Sequence, residues 1–96
     1  MNSEQFIAQA KTLVTNYYNS KKDQTDSYTM SVEDTYVVWF NFTLGNMKAL
    51  LSTVVSDGMY YEVTYDVQQN QIYFDAYKKW EHITYVFTNQ EETNEE

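Results

Sequence analysis

Residues 36–81 constrain the fold more than any other stretch, because they read as a succession of strands separated by tight turns. The runs 36–40, 48–55, 59–65 and 72–77 are rich in Val, Ile, Tyr, Phe and Trp, the residues that fit a pleated, half-buried surface. Between the second and third lies Asp57-Gly58, a pair that favours a two-residue hairpin because both central positions of that turn need φ > 0. Leu44-Gly45-Asn46 marks the first turn and Val-Gln-Gln-Asn at 67–70 the third. With no Pro in the chain, nothing bars any of these strands from a central position.

The segment before the strands has a different period. Phe6, Ile7, Ala10, Leu13, Val14 and Tyr17 recur at helical spacing, a stripe that predicts an amphipathic helix facing a core. Ser3 is the expected N-cap, Glu4 suits the positive end of the helix dipole, and Lys21 and Lys22 suit the other end. Residues 23–34 are polar and aperiodic, a connecting loop with room for one helical turn begun by Ser31. The apolar pattern after Ile72 runs on to Phe87, long for one strand, so a bulge or bend is expected near Lys78 to Glu81. The expected fold class is α+β, with one N-terminal amphipathic helix packed on a curved antiparallel meander of about four strands. That arrangement allows a cystatin-like wrap. Residues 1–88 are expected to form the single domain, and residues 89–96 an acidic, disordered tail.

A two-residue loop at Asp57-Gly58 pairs Val54 with Tyr61, Ser52 with Val63 and Leu50 with Tyr65. A four-residue loop at 67–70 pairs Tyr65 with Ile72, Val63 with Phe74 and Tyr61 with Ala76. The helix-facing surface would then be Leu50, Val54, Tyr61, Val63, Tyr65, Ile72 and Phe74. On the opposite face Tyr60 meets Tyr77, Glu62 meets Asp75 and Thr64 meets Tyr73. Directly opposed carboxylates repel, and here three tyrosines border them. Such a patch suits a Lys or Arg from a protein partner, held by carboxylates and ring faces. The plainer alternative is a solvated face neutralised by Lys48 or Lys79. The first two strands are apolar at both parities, so both of their faces call for cover. Trp39 is the candidate contact residue there, with a loop, a second copy of the chain or a foreign partner as the cover.

Composition removes several classes of function. The net charge is −8, but Glu91, Glu92, Glu95 and Glu96 lie in the tail, and without them it is −4. All six cations are Lys, whereas nucleic-acid readers use a basic face and Arg forks, so direct DNA or RNA binding is not expected. No run approaches the roughly 20 apolar residues of a membrane span, and the N-terminus lacks a basic-then-apolar leader, which points to the cytoplasm. The absence of Cys removes disulfides and thiolate chemistry. The single histidine, His82, offers neither a metal pair nor a proton relay, and is expected as a partly buried strand residue. With only Gly45 and Gly58 there is no glycine-rich phosphate loop. No catalytic, cofactor or metal site is therefore expected.

Three long segments carry a resemblance. Lys-Ala-Leu-Leu-Ser-Thr at 48–53, Ser-Asp-Gly-Met-Tyr-Tyr-Glu-Val-Thr-Tyr at 56–65 and Asp-Ala-Tyr-Lys-Lys-Trp-Glu at 75–81, with the helix opening Asn-Ser-Glu-Gln-Phe at 2–6, resemble an uncharacterised family of small proteins encoded by phages and prophages of Gram-positive bacteria. The likeness spans nearly the whole chain outside the acidic tail. The third turn departs from the Asn-Gly kind associated with relatives. The resemblance implies a phage origin and transfers no functional residues. Together these readings lead to the expectation of a non-enzymatic phage accessory protein. It would bind a host or phage protein in the infected bacterial cytoplasm, with Tyr60, Glu62, Tyr73, Asp75, Tyr77 and Trp39 as the contact residues. The alternatives are an anti-defence mimic of nucleic acid, a small-ligand-binding domain and a structural homo-oligomer. A homodimer is compatible with the pattern.

Overall fold

The computed structural model of the protein describes residues 1–23, 25 and 27–88. Helix α1 spans Ser3–Lys21 and a single 3₁₀ turn covers Val32–Asp34. Four strands follow, β1 (Thr35–Thr43), β2 (Asn46–Thr53), β3 (Met59–Asp66) and β4 (Gln71–Lys78). They pair antiparallel in sequence order as one open sheet, so the chain has the expected α+β meander. The tail expected from residue 89 lies outside the described residues, as do Gln24 and Asp26 of the connecting loop.

The helix starts one residue earlier than its sequence suggests. Asn2 is the N-cap, its Oδ1 accepting from the Gln5 N–H at 2.7 Å while the Gln5 Oε1 accepts from the Asn2 N–H at 2.9 Å. This reciprocal capping box satisfies two donors that a cap at Ser3 would leave open. Phe6, Ala10 and Val14 are completely buried and pack against Met47, Ala49, Leu51, Tyr61, Val63 and Tyr65. Near the helix C-terminus Tyr17 sits edge-on to Tyr61 and tilted on Phe74, with centroids 5.8 and 5.2 Å apart. Each fully buried large side chain contributes about 1.5–3 kcal/mol, offset by the cost of ordering the chain.

The loop after the helix is tied down by side-chain to backbone bonds. Asn19 Nδ2 donates to the Met30 carbonyl at 3.0 Å, and the Met30 N–H donates to Asn19 Oδ1 at 2.9 Å. The Asp34 carboxylate accepts from the Tyr28 hydroxyl at 2.6 Å and from the Ser31 N–H at 3.0 Å. These bonds hold Asp34 below the ordinary carboxylate range, the Tyr28 bond first, and push the Tyr28 hydroxyl up to about 12. A carboxylate depressed in the folded state adds stability above its unfolded pKa of about 4, and that stability is lost as pH falls through the folded value. The stability gap between wild type and Asp34→Asn is therefore expected to be widest near neutrality and to close in acid. Urea midpoints measured across that range check it, and a gap independent of pH overturns it.

The β3–β4 register is as expected: Tyr65 faces Ile72, Val63 faces Phe74 and Tyr61 faces Ala76 across a four-residue turn. Asn70 takes a φ of 54° in that turn. The β2–β3 register is not as expected. Leu51 faces Tyr61 and Ala49 faces Val63, so the connection is residues 54–58 rather than Asp57-Gly58 alone. Only Gly58 takes a positive φ in it, at 75°, while Asp57 Oδ1 caps the Met59 N–H at 3.1 Å. An odd shift turns every β2 side chain over. Met47, Ala49 and Leu51 are therefore the β2 residues beneath the helix, and Val54 is 63% exposed. Two bonds fix the longer loop: the Val54 N–H donates to the Asp34 carbonyl at 3.0 Å, and Ser52 Oγ donates to the Met59 carbonyl at 3.0 Å.

The strand reading beyond Lys78 is also corrected. β4 ends there, the Lys79 N–H closes on the Gly58 carbonyl at 2.7 Å, and residues 80–88 carry no regular structure. His82 is accordingly exposed and outside any strand.

Candidate functional site

Register and pleat decide what the uncovered face of the sheet displays. The two-residue Leu44-Gly45 turn, with φ of 53° and 86°, pairs Thr43 with Asn46 and, counting back, Asn41 with Lys48 and Trp39 with Leu50. Leu50 in turn faces Glu62, and Glu62 faces Asp75. Trp39, Leu50, Glu62 and Asp75 thus form one row across all four strands, on the side away from the helix. The neighbouring row is Asn41, Lys48, Thr64 and Tyr73, and Tyr60 faces Tyr77 on the other side. The structure therefore brings the six expected contact residues, Trp39, Tyr60, Glu62, Tyr73, Asp75 and Tyr77, to one face of the sheet. Among the described residues nothing in the chain buries this face: Trp39 is 48% and Tyr77 52% exposed.

Two further residues join the face that the sequence reading left out. A β-bulge between Val37 and Trp39 turns Val37 toward the helix, opposite Leu51, and Tyr36 outward, opposite Ser52. Leu50, assigned from the sequence to the helix side, lies half-buried between Trp39 and Glu62. Counting back from Leu44-Gly45 pairs Leu50 with Trp39 but does not say which face of that row meets the helix. The bulge has no marker in the run Tyr36–Phe42, which is apolar at both parities.

Lysines partly neutralise the face. Lys48 Nζ lies 3.5 Å from Glu62 Oε2, a half-exposed surface pair worth about 0–1 kcal/mol, and Lys79 Nζ stands 5.8 Å from the Tyr60 ring centroid. The Tyr77 hydroxyl donates to Glu62 Oε1 at 3.3 Å. The charge of Glu62, then that of Asp75, raises its pKa above the ordinary phenol value. Tyr73 donates to Gln71 Oε1 at 3.1 Å. Asp75 is exposed, and among the described residues no lysine bridges it. Chemically the face offers carboxylates at Asp66 and Asp75 that no lysine bridges among the described residues, beside tyrosines and a tryptophan, with open grooves of about 510 Å³ beside Trp39, Lys48 and Tyr73 and about 420 Å³ beside Tyr36, Tyr60 and Lys79.

A mimic of nucleic acid would need its carboxylates lined up on one face, and Glu62, Asp66 and Asp75 do lie on strands of this face. Glu33 and Asp34 belong to the 3₁₀ turn, and Glu81 lies beyond β4. A ligand cavity between helix and sheet would draw on Tyr61, Tyr65 and His82, but Tyr61 and Tyr65 are packed into the core and His82 is exposed after β4. Among the described residues no group of three or more His, Cys, Asp or Glu is placed to hold a metal ion. No helix among them is long and apolar enough to cross a membrane.

Residues 7–87 match the profile of a family whose description reads family of unknown function, DUF6275. No curated protein and no solved structure matches the chain.

Proposed function

Because the chain belongs to the DUF6275 family of unknown function, we propose from its own geometry that it is a small, non-enzymatic protein that binds another protein through the outer face of its sheet. The observation that carries this reading is the convergence of Trp39, Tyr60, Glu62, Tyr73, Asp75 and Tyr77 on the side the helix leaves uncovered. Aromatic side chains supply contact area at low entropy cost and dominate binding energies when a partner seals them from water. Asp75, without a lysine among the described residues, gives such a partner's Lys or Arg a carboxylate with tyrosine rings beside it.

The likeness of segments 48–53, 56–65 and 75–81 to small phage and prophage proteins of Gram-positive bacteria supports the finer reading. In it, the chain is a phage accessory protein that binds a host or phage protein in the bacterial cytoplasm. The test is an affinity pull-down from infected and uninfected host lysates, comparing wild type with a Tyr60→Ser, Tyr73→Ser, Tyr77→Ser variant whose fold is checked by circular dichroism. One stoichiometric partner retained by the wild type and lost by the variant is expected. An identical set of proteins with both, or none with either, overturns the reading.

A further inference from the structure

We propose that two copies of this chain exchange their C-terminal arms, residues 80–87 of each adding as a fifth strand to the free edge of β1 in the other. The surface involved is the edge of β1 and the helix-side groove; of the six outer-face contact residues only Trp39 lies on β1.

The first observation is the edge itself. β1 is an outer strand of the sheet, and its nine residues include no charge and no Pro. Natural edge strands are usually guarded by Lys, Pro, short length or a β-bulge, because their unpaired N–H and C=O groups recruit further strands, and β1 has only the last of these. The one irregularity here is the bulge at Val38. The opposite edge, β4, carries Asp75 and Lys78. Beside β1, on the helix side, lies an apolar groove of about 600 Å³ lined by Ile7, Ala8, Val32, Val37 and Phe40. A strand added at β1 would point every second side chain into it.

The second observation is the arm. Trp80 and Phe87 are 91% and 87% exposed, and Ile83, Tyr85 and Val86 are also exposed. The arm alternates, with Ile83, Tyr85 and Phe87 sharing one face of an extended chain and Trp80, His82, Thr84 and Val86 the other. The Cα radius of gyration is 17.7 Å, against about 12–13 Å for a compact domain of this length.

The third observation selects the occupant. The Lys79 N–H is fastened to the Gly58 carbonyl at the end of the sheet, beside β3. To lie outside its own β1, the arm would cross about four strand spacings, roughly 19 Å, which consumes about six extended residues and leaves too few to pair. To fold back along its own β4 it would need a tight turn, yet residues 79–84 contain no Gly, Pro, Asn or Asp. A second copy meets neither obstacle, and a two-fold axis lets each chain donate and receive one arm. Each exchanged aromatic brings about 150–250 Å², so two arms with three aromatics apiece reach the range of about 1,200–2,000 Å² typical of stable interfaces.

The chain lacks Cys, which makes the test clean. The full-length wild type is expected to sediment as a dimer at micromolar concentration. An Ile83→Ser, Tyr85→Ser, Phe87→Ser variant and a Val38→Lys variant should both sediment at monomer mass with unchanged circular dichroism. Mixing a Val38→Cys chain with a Tyr85→Cys chain under mild oxidation should yield a disulfide-linked pair. A monomeric wild type, a dimer that survives the arm substitutions, or a Val38→Cys, Tyr85→Cys double variant that closes only within one chain each overturns the proposal. The Tyr60, Tyr73, Tyr77 variant should remain dimeric, so failure of the outer-face reading and failure of this one give different results.

Discussion

Phe6→Ala is expected to lower the stability of the fold by about 3–5 kcal/mol, the usual cost of emptying a buried aromatic site. Phe6 is completely buried, with its ring centroid 6.1 Å from that of Phe40, so it anchors the first half of the helix to β1. A domain of this size holds about 5–15 kcal/mol in all, and the loss would consume a large part of it. Phe6→Leu, which nearly conserves volume, should cost less than about 1.5 kcal/mol. Ile7→Ala, at a partly buried neighbour on the same stripe, should cost less than Phe6→Ala. Urea midpoints followed by circular dichroism check the series. Equal losses at Phe6 and Ile7 would mean that the helix meets the sheet along a different line.

The second large effect separates the observed β2–β3 register from the one that Asp57-Gly58 suggests. Leu51→Ala is expected to cost about 2–5 kcal/mol, because Leu51 is fully buried opposite Tyr61. Val54→Ala should stay within about 0.5 kcal/mol, as surface substitutions do, since Val54 is exposed in the connection. With a two-residue hairpin the order would invert, Val54 lying under the helix and Leu51 in solvent. Measuring both variants under one set of conditions decides between the registers without a structure.

The residues that could be read correctly from the sequence were those whose local signals left one solution. The stripe from Phe6 to Tyr17 has a helical period and no strand period. The turn at 67–70 lies between two well-marked alternating strands, so Tyr60 with Tyr77, Glu62 with Asp75 and Thr64 with Tyr73 followed from counting. Much of the candidate face rested on those pairs. Trp39 was singled out because its strand is apolar on both sides; its side of the sheet was set by the register of β1 with β2 and the bulge before it. The strand expected through Phe87 failed for a related reason. The run Trp80–Phe87 has strand-like side chains, but a strand exists only where a neighbouring backbone accepts its hydrogen bonds, and residues 80–88 join no strand of the sheet.

What the amino-acid order determined alone was the set of elements and their sequence along the chain, because helix and strand periods, polar turns and the lack of Pro act over a few residues. What only the tertiary structure decided was which side of β2 and of the start of β1 turns toward the helix. Leu50 and Leu51, or Tyr36 and Val37, are interchangeable by local preference. The choice between them was made by the Val54 bond to Asp34, the Ser52 bond to Met59 and the bulge at Val38. Those contacts join residues distant in sequence or add one residue to a strand, and a single odd step in register turns a whole strand over.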